Sequence, residues 1–309
     1  MRVLAWLIAL PLSAVLGLFV YSWWRERGFN GDHPPPGKFH SDSHVHAVDS
    51  LGAEPAVVFV HGNPGSCLDF TPVMERLSPK LRTLAFDRPG YGWSPRPDPF
   101  MTPVEQAHFI HDAVKHLGLT RPVIAGFSYG GPVAIAYALE FPREVGALVL
   151  LAAVGHPDEK HVLSEAQARL LTPTGPLIAW GLGPILGPDA VASGYVDAFS
   201  PKPVDEGVVE RGRWLFTRPP TLLASVRDWH VLETELPRLA ARYGELTAPV
   251  EILSANQDRI IGPKHAAYLS NHLKGSHKVD VDDAGHQLMA THTQAVVDAV
   301  LRAVARRAP

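Results

Sequence analysis

The chain has 309 residues, 46% of them hydrophobic, and carries a formal net charge of −3. This length and apolar content are enough for one large core, so we expect a single catalytic domain with an insertion. The sequence has no stripe of basic residues and no basic patch interleaved with aromatics, so a nucleic-acid partner is not expected. No glycine-rich phosphate-binding loop follows a predicted strand. The single cysteine, Cys67, cannot form an internal disulfide, and we expect a buried small residue there.

The segment from Val3 to Trp24 is apolar and uncharged, which predicts a single-pass membrane anchor. As a helix it would be about 33 Å long, enough for a bilayer core. Arg2 precedes it, and Trp23-Trp24-Arg25 follows at its end, where aromatic rings and a positive charge suit the membrane interface. A cleaved signal peptide is the alternative, but it would have a shorter apolar region and a small-residue cleavage site. Positive charge flanks both ends, so the orientation in the membrane stays open.

A proline-rich stretch follows the apolar segment. Three consecutive prolines at positions 34–36 predict a linker over residues 28–39, because proline stiffens the chain and cannot join the interior of a sheet. His40, His44 and His46 come next, and we expect the last two to share one face of a strand. Since metal binding needs a convergent site with more ligands, a plain edge strand without metal is the favoured interpretation.

Apolar runs and helical segments alternate over most of the remaining chain. Buried strands are predicted at residues 56–60, 82–86, 122–125, 147–151 and 249–255, and an alternating strand at 277–281. A capping box, Thr102-Pro103-Val104-Glu105, predicts a helix that runs to about Leu117, and a second helix is expected over residues 131–139. This alternation is typical of a mostly parallel sheet with helices on both faces, which binds ligands at the carboxyl ends of its strands.

From about His156 to Leu246 the pattern changes to helical segments interrupted by proline and glycine, with no strand-like run. We interpret this region as a helical cap. The predicted organisation is therefore an anchor (1–27), a linker (28–39), a first part of the core (40–155), the cap (156–246) and a second part of the core (247–309). Part of the apolar surface of the cap should line an acyl or aromatic pocket.

A serine between close glycines, Gly126-Phe127-Ser128-Tyr129-Gly130, directly follows the strand predicted at 122–125. This pattern predicts a nucleophile elbow, because a sharp strand-to-helix turn leaves no room for side chains beside the serine. The five-residue string is weak evidence alone. Its value depends on whether the surrounding sequence supplies the other parts of a serine hydrolase.

Those parts are present in a suitable order. His61-Gly62-Asn63-Pro64 forms a turn after the strand at 56–60, where backbone N–H groups could bind an oxyanion, although an ordinary glycine-proline turn is the alternative. Asp258 follows the strand at 249–255, and His286 follows the strand at 277–281. The order serine, acid, histidine is expected when an α/β sheet carries a serine nucleophile. Asp158, which follows the strand ending near Ala153, is the alternative acid.

Together with the loop from Asp87 to Ser94, these stretches resemble the α/β-hydrolase superfamily from roughly residue 40 to the C-terminus. The resemblance implies an α/β fold with a mostly parallel sheet, a helical cap and no cofactor. It also implies a set of roles: Ser128 as nucleophile, His286 as base, Asp258 as orienting acid, and the backbone amides of Asn63 and Tyr129 as oxyanion donors.

One part of the sequence departs from the members it otherwise resembles. The His-Gly-Asn-Pro turn is similar to that of haloalkane dehalogenases, which, like epoxide hydrolases, use an aspartate nucleophile, whereas this elbow holds Ser128. A serine that displaced halide would leave an ether that water does not readily cleave, so acyl chemistry is favoured. Asp228-Trp229 has the same two residue types as the nucleophile pair of the dehalogenases, but it lies far from the elbow. We interpret this similarity as a coincidence in a cap helix.

The sequence therefore predicts a membrane-anchored serine hydrolase that cleaves carboxylic esters. Its expected partners are a small apolar ester substrate and a membrane, with no nucleic acid and no metal. Hydrolysis of C–C bonds, lactones or peroxides on the same fold is an alternative reaction. A non-catalytic ligand-binding receptor is a further alternative, which the intact set of Ser128, Asp258 and His286 argues against.

Overall fold

A computed structural model describes residues 2–78, 80–159 and 161–307, with side chains from residue 13 onward within these ranges. Its sheet has eight strands: β1 (Lys38–His40), β2 (Val45–Asp49), β3 (Ala56–Val60), β4 (Arg82–Phe86), β5 (Val123–Phe127), β6 (Ala147–Leu151), β7 (Val250–Ala255) and β8 (His277–Val281). The strand order is β1-β2-β4-β3-β5-β6-β7-β8. All neighbours from β4 to β8 pair in parallel, and β1 and β2 add an antiparallel edge.

Eleven α-helices lie within the described residues. They are α1 (Arg2–Asp32), α2 (Thr71–Leu77), α3 (Pro103–His116), α4 (Gly130–Glu140), α5 (Glu165–Arg169), α6 (Gly175–Phe199), α7 (Glu206–Phe216), α8 (Pro219–Ala241), α9 (Pro263–His272), α10 (Leu288–Thr291) and α11 (Thr293–Arg306). Helices α5 to α8 are inserted between β6 and β7 and form the cap. The expected layout of a mostly parallel sheet with a helical insertion is therefore present.

The parts of the fold with strong local signals match the sequence-based predictions closely. Strands β3, β4, β6 and β8 have the predicted bounds, and β3, β5 and β6 are buried along their whole length because helices cover both faces of the sheet. Helix α3 begins with the predicted capping box: the Thr102 hydroxyl accepts the Glu105 N–H at 3.1 Å, and the Glu105 carboxylate accepts the Thr102 N–H at 2.7 Å.

Helix α1 differs from the predicted anchor and linker. It continues past Trp24 and through residues 28–32, which were expected to belong to the linker. Phe29 is buried, with its ring centroid 5.9 Å from that of Trp93 and 5.8 Å from that of Trp214, and Glu26 pairs with Arg218 of the cap at 2.5 Å. The predicted boundary near residue 27 is thus wrong, because these contacts hold the second half of the helix on the domain.

The prediction of a membrane-spanning segment finds no support in the described residues. Across residues 2–78, 80–159 and 161–307, none of the helices combines the length and apolar character that a membrane crossing requires. Residues 3–12 of the predicted segment lie outside the part of the chain whose side chains are described.

The three clustered histidines do not form one face of a strand. His40 ends β1, whereas His44 lies in an exposed turn with a φ of 53°. Strand β2 begins only at Val45, so the prediction that His44 and His46 share one face of a strand is wrong. His46 alone among the three is fully buried, and it belongs to a hydrogen-bonded cluster described below.

Candidate active site

The elbow at Ser128 is a tight turn between β5 and α4 that requires glycine on both sides. A Cβ on Gly126 would lie 2.3 Å from the carbonyl oxygen of Gly130, and one on Gly130 would lie 2.2 Å from that of Val60. Ser128 itself has a φ of 53°, a region that non-glycine residues rarely occupy. Its N–H donates to the Leu151 carbonyl at 3.0 Å, which fixes this conformation against the neighbouring strand.

The structure brings Asp258 and His286 together from the ends of β7 and β8. Nδ1 of His286 lies 2.7 Å from Oδ2 of Asp258, and both side chains are buried. Oδ1 of Asp258 accepts the N–H groups of Ile260 and Ile261 at 2.8 and 3.0 Å. Because Nδ1 donates to the carboxylate, Nε2 is left as the basic ring nitrogen. The His286 ring lies 4.7 Å from that of Phe127, the residue before the serine.

The Asp258 carboxylate stays ionised at neutral pH. Burial alone would raise its pKa, but the contact with His286 and the two backbone N–H groups outweigh burial and hold the pKa below its ordinary value. A charged carboxylate at this position fixes the tautomer of the imidazole and stabilises the imidazolium that forms when the ring takes up a proton.

The alternative acid, Asp158, is not in a position to do this. It lies exposed in the loop after β6, where its backbone N–H donates to Nδ1 of His156 at 3.2 Å. The carboxylate on His286 belongs to Asp258. Of the two acids considered from sequence, only Asp258 is part of the arrangement.

The two backbone amides expected to bind an oxyanion belong to a residue that follows the serine and to a loop that approaches it. Gly62 approaches Ser128 so closely that a Cβ on it would lie 2.9 Å from the serine Cβ. The following residue, Asn63, and the residue after the serine, Tyr129, have backbone N–H groups that donate to no acceptor among the described residues. Free N–H groups beside the predicted nucleophile are what an oxyanion site would require.

Asp228 lies on a cap helix as predicted, and it has in addition a structural role that its sequence context did not reveal. Although it lies on cap helix α8 and not at the elbow, Asp228 is fully buried. Its carboxylate binds Arg88 and Arg96, each at 2.7 Å, and accepts hydrogen bonds from Tyr91 at 2.9 Å and Gln106 at 3.2 Å. A buried carboxylate is stable only with such partners. The sequence signal was an acid on the apolar face of α8, next to the buried Trp229.

A cavity of ≈ 320 Å³ lies between the core and the cap. The core contributes Asn63, Phe127 and His286 to its wall. The cap contributes mainly apolar and small residues: Gly187, Ala190, Val191, Gly194, Tyr195, Ala198, Phe216 and Leu222. A mostly apolar wall with a few polar groups at one end is typical of a small-molecule site.

One group of three potential metal ligands occurs among the described residues: His46, Cys67 and Asp87. Nδ1 of His46 lies 2.7 Å from the Asp87 carboxylate, and its Nε2 accepts the Gly37 N–H at 3.1 Å. The same carboxylate accepts the N–H groups of Cys67 and Trp93. Burial raises the pKa of the Cys67 thiol well above its ordinary value. These groups already bind one another, so we interpret the cluster as structural.

Comparisons with known proteins agree with the fold. A family model described as the alpha/beta hydrolase fold matches residues 55–172. Haloalkane dehalogenase 2 of Mycobacterium tuberculosis is 35% identical over 111 residues, and 2-hydroxy-6-oxo-2,4-heptadienoate hydrolase of Pseudomonas putida is 38% identical over 115 residues. An esterase from Exiguobacterium antarcticum is similar in structure, with a TM-score of 0.68 at 20% identity.

The extent of these matches differs. The alignments cover 36% of this chain and 38% of the dehalogenase, and 35% of this chain and 41% of the second relative, so the chain spans about two fifths of each. The structural match covers 86% of this chain and 99% of the esterase. These two sequence alignments therefore cover little more than a third of the chain, whereas the structural likeness concerns the fold over most of it.

Proposed function

Because this chain has the alpha/beta hydrolase fold, we propose that it is a serine hydrolase that cleaves carboxylic esters through an acyl-enzyme on Ser128. The observation that carries the proposal is the hydrogen bond between His286 and Asp258, with the His286 ring against Phe127, the residue before a serine held in a glycine-flanked turn. The serine at the elbow favours an acyl intermediate over the alkyl ester that an aspartate nucleophile would form.

The proposed reaction has two steps. Nε2 of His286 takes the proton of Ser128 as its Oγ attacks the ester carbonyl, and Asp258 stabilises the resulting imidazolium. The N–H groups of Asn63 and Tyr129 bind the oxyanion of the tetrahedral intermediate. His286 then gives the proton to the leaving alcohol. In the second step a water molecule, activated by the same imidazole, releases the acid and restores the serine.

The test is turnover and labelling of the serine variant. We expect Ser128→Ala to lower hydrolysis of a p-nitrophenyl ester by at least about 10³-fold and to abolish labelling by a fluorophosphonate. Ser193→Ala, at an exposed position of α6, serves as the control and should behave as wild type. Undiminished turnover or labelling in Ser128→Ala would rule out the proposed nucleophile.

The lining of the cavity favours substrates whose acyl group is lipophilic. Among the described residues, its cap-side wall carries no charged side chain, so burial of an alkyl or aromatic chain there would be favourable. A panel of esters that differ only in acyl chain is the direct measurement. Faster turnover of the acetyl ester than of medium-chain esters would contradict an apolar acyl pocket.

Hydrolysis of a C–C bond is the second candidate reaction. It is favoured by the similarity to the Pseudomonas putida hydrolase, whose named substrate is a hydroxylated oxo acid and not an ester. Lactones and peroxides are also compatible with the same residues. A substrate panel separates these possibilities, and binding of ligands without turnover of any activated ester would favour the receptor role.

We further propose that the N-terminal helix associates with a membrane. Its first half is apolar in sequence, and Val15, Leu16, Val20, Trp23 and Trp24 are exposed on α1. Exposed tryptophans beside a basic residue suit a membrane interface. In liposome flotation we expect the full chain, but not a variant lacking residues 1–17, to rise with the vesicles. Equal flotation of both would contradict a role for this helix.

A further inference from the structure

The peptide between Gly62 and Asn63 is held from its carbonyl side by two buried donors. The Gly62 carbonyl oxygen accepts a hydrogen bond from the Arg88 guanidinium at 2.9 Å and lies 2.9 Å from Nδ1 of His61. Nε2 of His61 accepts the Arg88 N–H, so Nδ1 carries the proton and also donates to this oxygen. One carbonyl thus receives one cationic and one neutral donor.

The same peptide presents the N–H of Asn63 on its other side. The Gly62–Asn63 bond is trans, so its C=O and N–H point in opposite directions. Hydrogen bonds polarise one another along a chain, and a charge-assisted bond is the stronger kind. A guanidinium on the carbonyl therefore withdraws electron density from the peptide and makes its N–H a better donor to a developing negative charge.

We propose that Arg88 is a positioning residue for the oxyanion site: its buried guanidinium aligns and polarises the Gly62–Asn63 peptide. This inference rests on the proposed hydrolase function, because it concerns the same oxyanion. Arg88 does not touch the substrate. It acts through a peptide that begins at Gly62, which is so close to Ser128 that an added Cβ would lie 2.9 Å from the serine Cβ.

The cap fixes the position of Arg88. Its guanidinium pairs with Asp228 of α8 at 2.7 Å, donates to Gln106 at 2.7 Å, and lies 4.4 Å from the ring centres of both Tyr91 and Tyr129. Planar contacts of this kind set the direction of a guanidinium as well as its place. The carboxylate that orients Arg88 therefore belongs to the cap, and the oxyanion site depends on how the cap sits on the core.

Helix α8 also contacts both proposed oxyanion residues directly. The Ser225 hydroxyl donates to Oδ1 of Asn63 at 2.6 Å, and the Ser225 carbonyl accepts from Nδ2 of the same residue at 2.9 Å. One turn later, the Asp228 carbonyl accepts the Tyr129 hydroxyl at 3.2 Å. Residues three apart lie on one face of a helix, so a single face of α8 touches both residues.

The decisive comparison is between two arginine-to-lysine variants of the full chain. Lysine keeps the charge, but its single ammonium cannot contact Asp228, Gln106 and the Gly62 carbonyl together. Arg88→Lys should therefore lose the contact with the peptide. Arg96→Lys is the matched control, because Arg96 binds the other oxygen of Asp228 and the Pro89 carbonyl but does not contact Gly62.

We expect Arg88→Lys to lower kcat about 10- to 100-fold, somewhat less than the loss of a whole oxyanion donor, with KM within about twofold. Affinity for a trifluoromethyl ketone, which forms a tetrahedral oxyanion on the serine, should fall by a similar factor. Arg96→Lys should stay within about threefold of wild type in both. A purely structural role would predict equal losses in the two variants, accompanied by a lower folded fraction, and that result would overturn the inference.

A second variant covers the case in which Arg88→Lys does not fold. Tyr129→Phe with Ser225→Ala removes both hydroxyl contacts to α8 without creating a buried charge, and it should lower kcat and ketone affinity together by about 3- to 10-fold. Unchanged values in this double variant would contradict the dependence of the oxyanion site on α8, the helix whose Asp228 orients Arg88. Failure of the proposed function has a different outcome, since wild-type protein would then show neither ester turnover nor fluorophosphonate labelling.

Discussion

At Ser128 the backbone has a φ of 53°, a conformation that costs a non-glycine residue on the order of 1 kcal/mol or more. Gly126 and Gly130 leave the space that this turn needs, and hydrogen bonds with Leu151 of β6 and with Val154 hold it. Strain of this kind persists only where the surrounding structure enforces it. The sequence pattern of a serine between two glycines therefore corresponds to a specific steric requirement in the folded chain.

Asp258 and Asp158 provide a paired test of the acid. Asp258→Asn should lower kcat by about 10³- to 10⁴-fold, because an amide would favour the wrong tautomer of His286. Asp158→Asn changes an exposed side chain outside the site and should leave kcat within about twofold. The measurement is steady-state hydrolysis of one ester by both variants. The reverse ranking would assign the acid to Asp158.

His61 provides a test of the pH dependence of stability. Burial, followed by the nearby Arg88, lowers its pKa to about 3, against about 6.5 in the unfolded chain. The unfolded chain therefore binds a proton that the folded chain does not. Stability is fully present above pH 6.5 and is lost as the pH falls toward 3, by up to about 1.4 kcal/mol per pH unit for this group.

Urea unfolding at pH 7 and pH 5 measures this effect. His61→Gln cannot titrate, yet its amide can still donate to the Gly62 carbonyl, so the variant should show a smaller loss of unfolding free energy over this interval. His265, with a pKa lowered to about 4, remains in both proteins and contributes in the same direction. Identical losses in wild type and His61→Gln would contradict the assignment.

Among the elements, α1 depends on both local sequence and tertiary contacts. Its apolar sequence predicts a helix, but the end of the helix is decided by what it packs against. The Arg218 guanidinium lies 3.7 Å from the ring centre of Phe29 and pairs with Glu26, and the His33 ring stacks on Trp214 at 3.9 Å. Because Arg218 also donates to the Gly92 carbonyl, it joins α1, the cap and the core.

The docking of α1 is tested by Phe29→Ala. Truncating this buried ring should lower the free energy of unfolding by about 3 to 5 kcal/mol. Leu16→Ala is the matched control on the same helix, because Leu16 is 64% exposed, and its effect should be within about 0.5 kcal/mol. Both are measured by urea unfolding. Equal effects would mean that the second half of α1 is not docked in solution.

For the whole molecule, the proposed ester cleavage predicts that the space between core and cap limits the size of the acyl group. Gly194 of α6 lines the cavity, and a Cβ added there meets no atom within 4 Å. Gly194→Leu should therefore be accepted by the fold, fill part of the cavity and move the preferred acyl chain to a shorter length. Gly244→Leu, at another unobstructed glycine outside the cavity wall, is the control. Initial rates over an acyl-chain series give the result, and an unchanged optimum in Gly194→Leu would place the acyl chain elsewhere.

Much of the fold could be predicted because its signals are local. The buried strands are continuous apolar runs, and the start of α3 is specified by Thr102 and Glu105 alone. The expectation that Cys67 is buried also agrees with the structure. The edge of the sheet was predicted less well, since β1 and the turn at His44 depend on pairing with distant residues.

The sequence by itself determined which residues can carry the proposed chemistry, because the elbow glycines and the order of Ser128, Asp258 and His286 are properties of the chain. Tertiary structure decided which of them meet: the ends of β7 and β8 bring Asp258, and not Asp158, to His286. It also gave Asp228 a partner in Arg88, 140 residues away. No local pattern encodes such a contact, because a buried ion pair forms only where folding brings both charges out of water together.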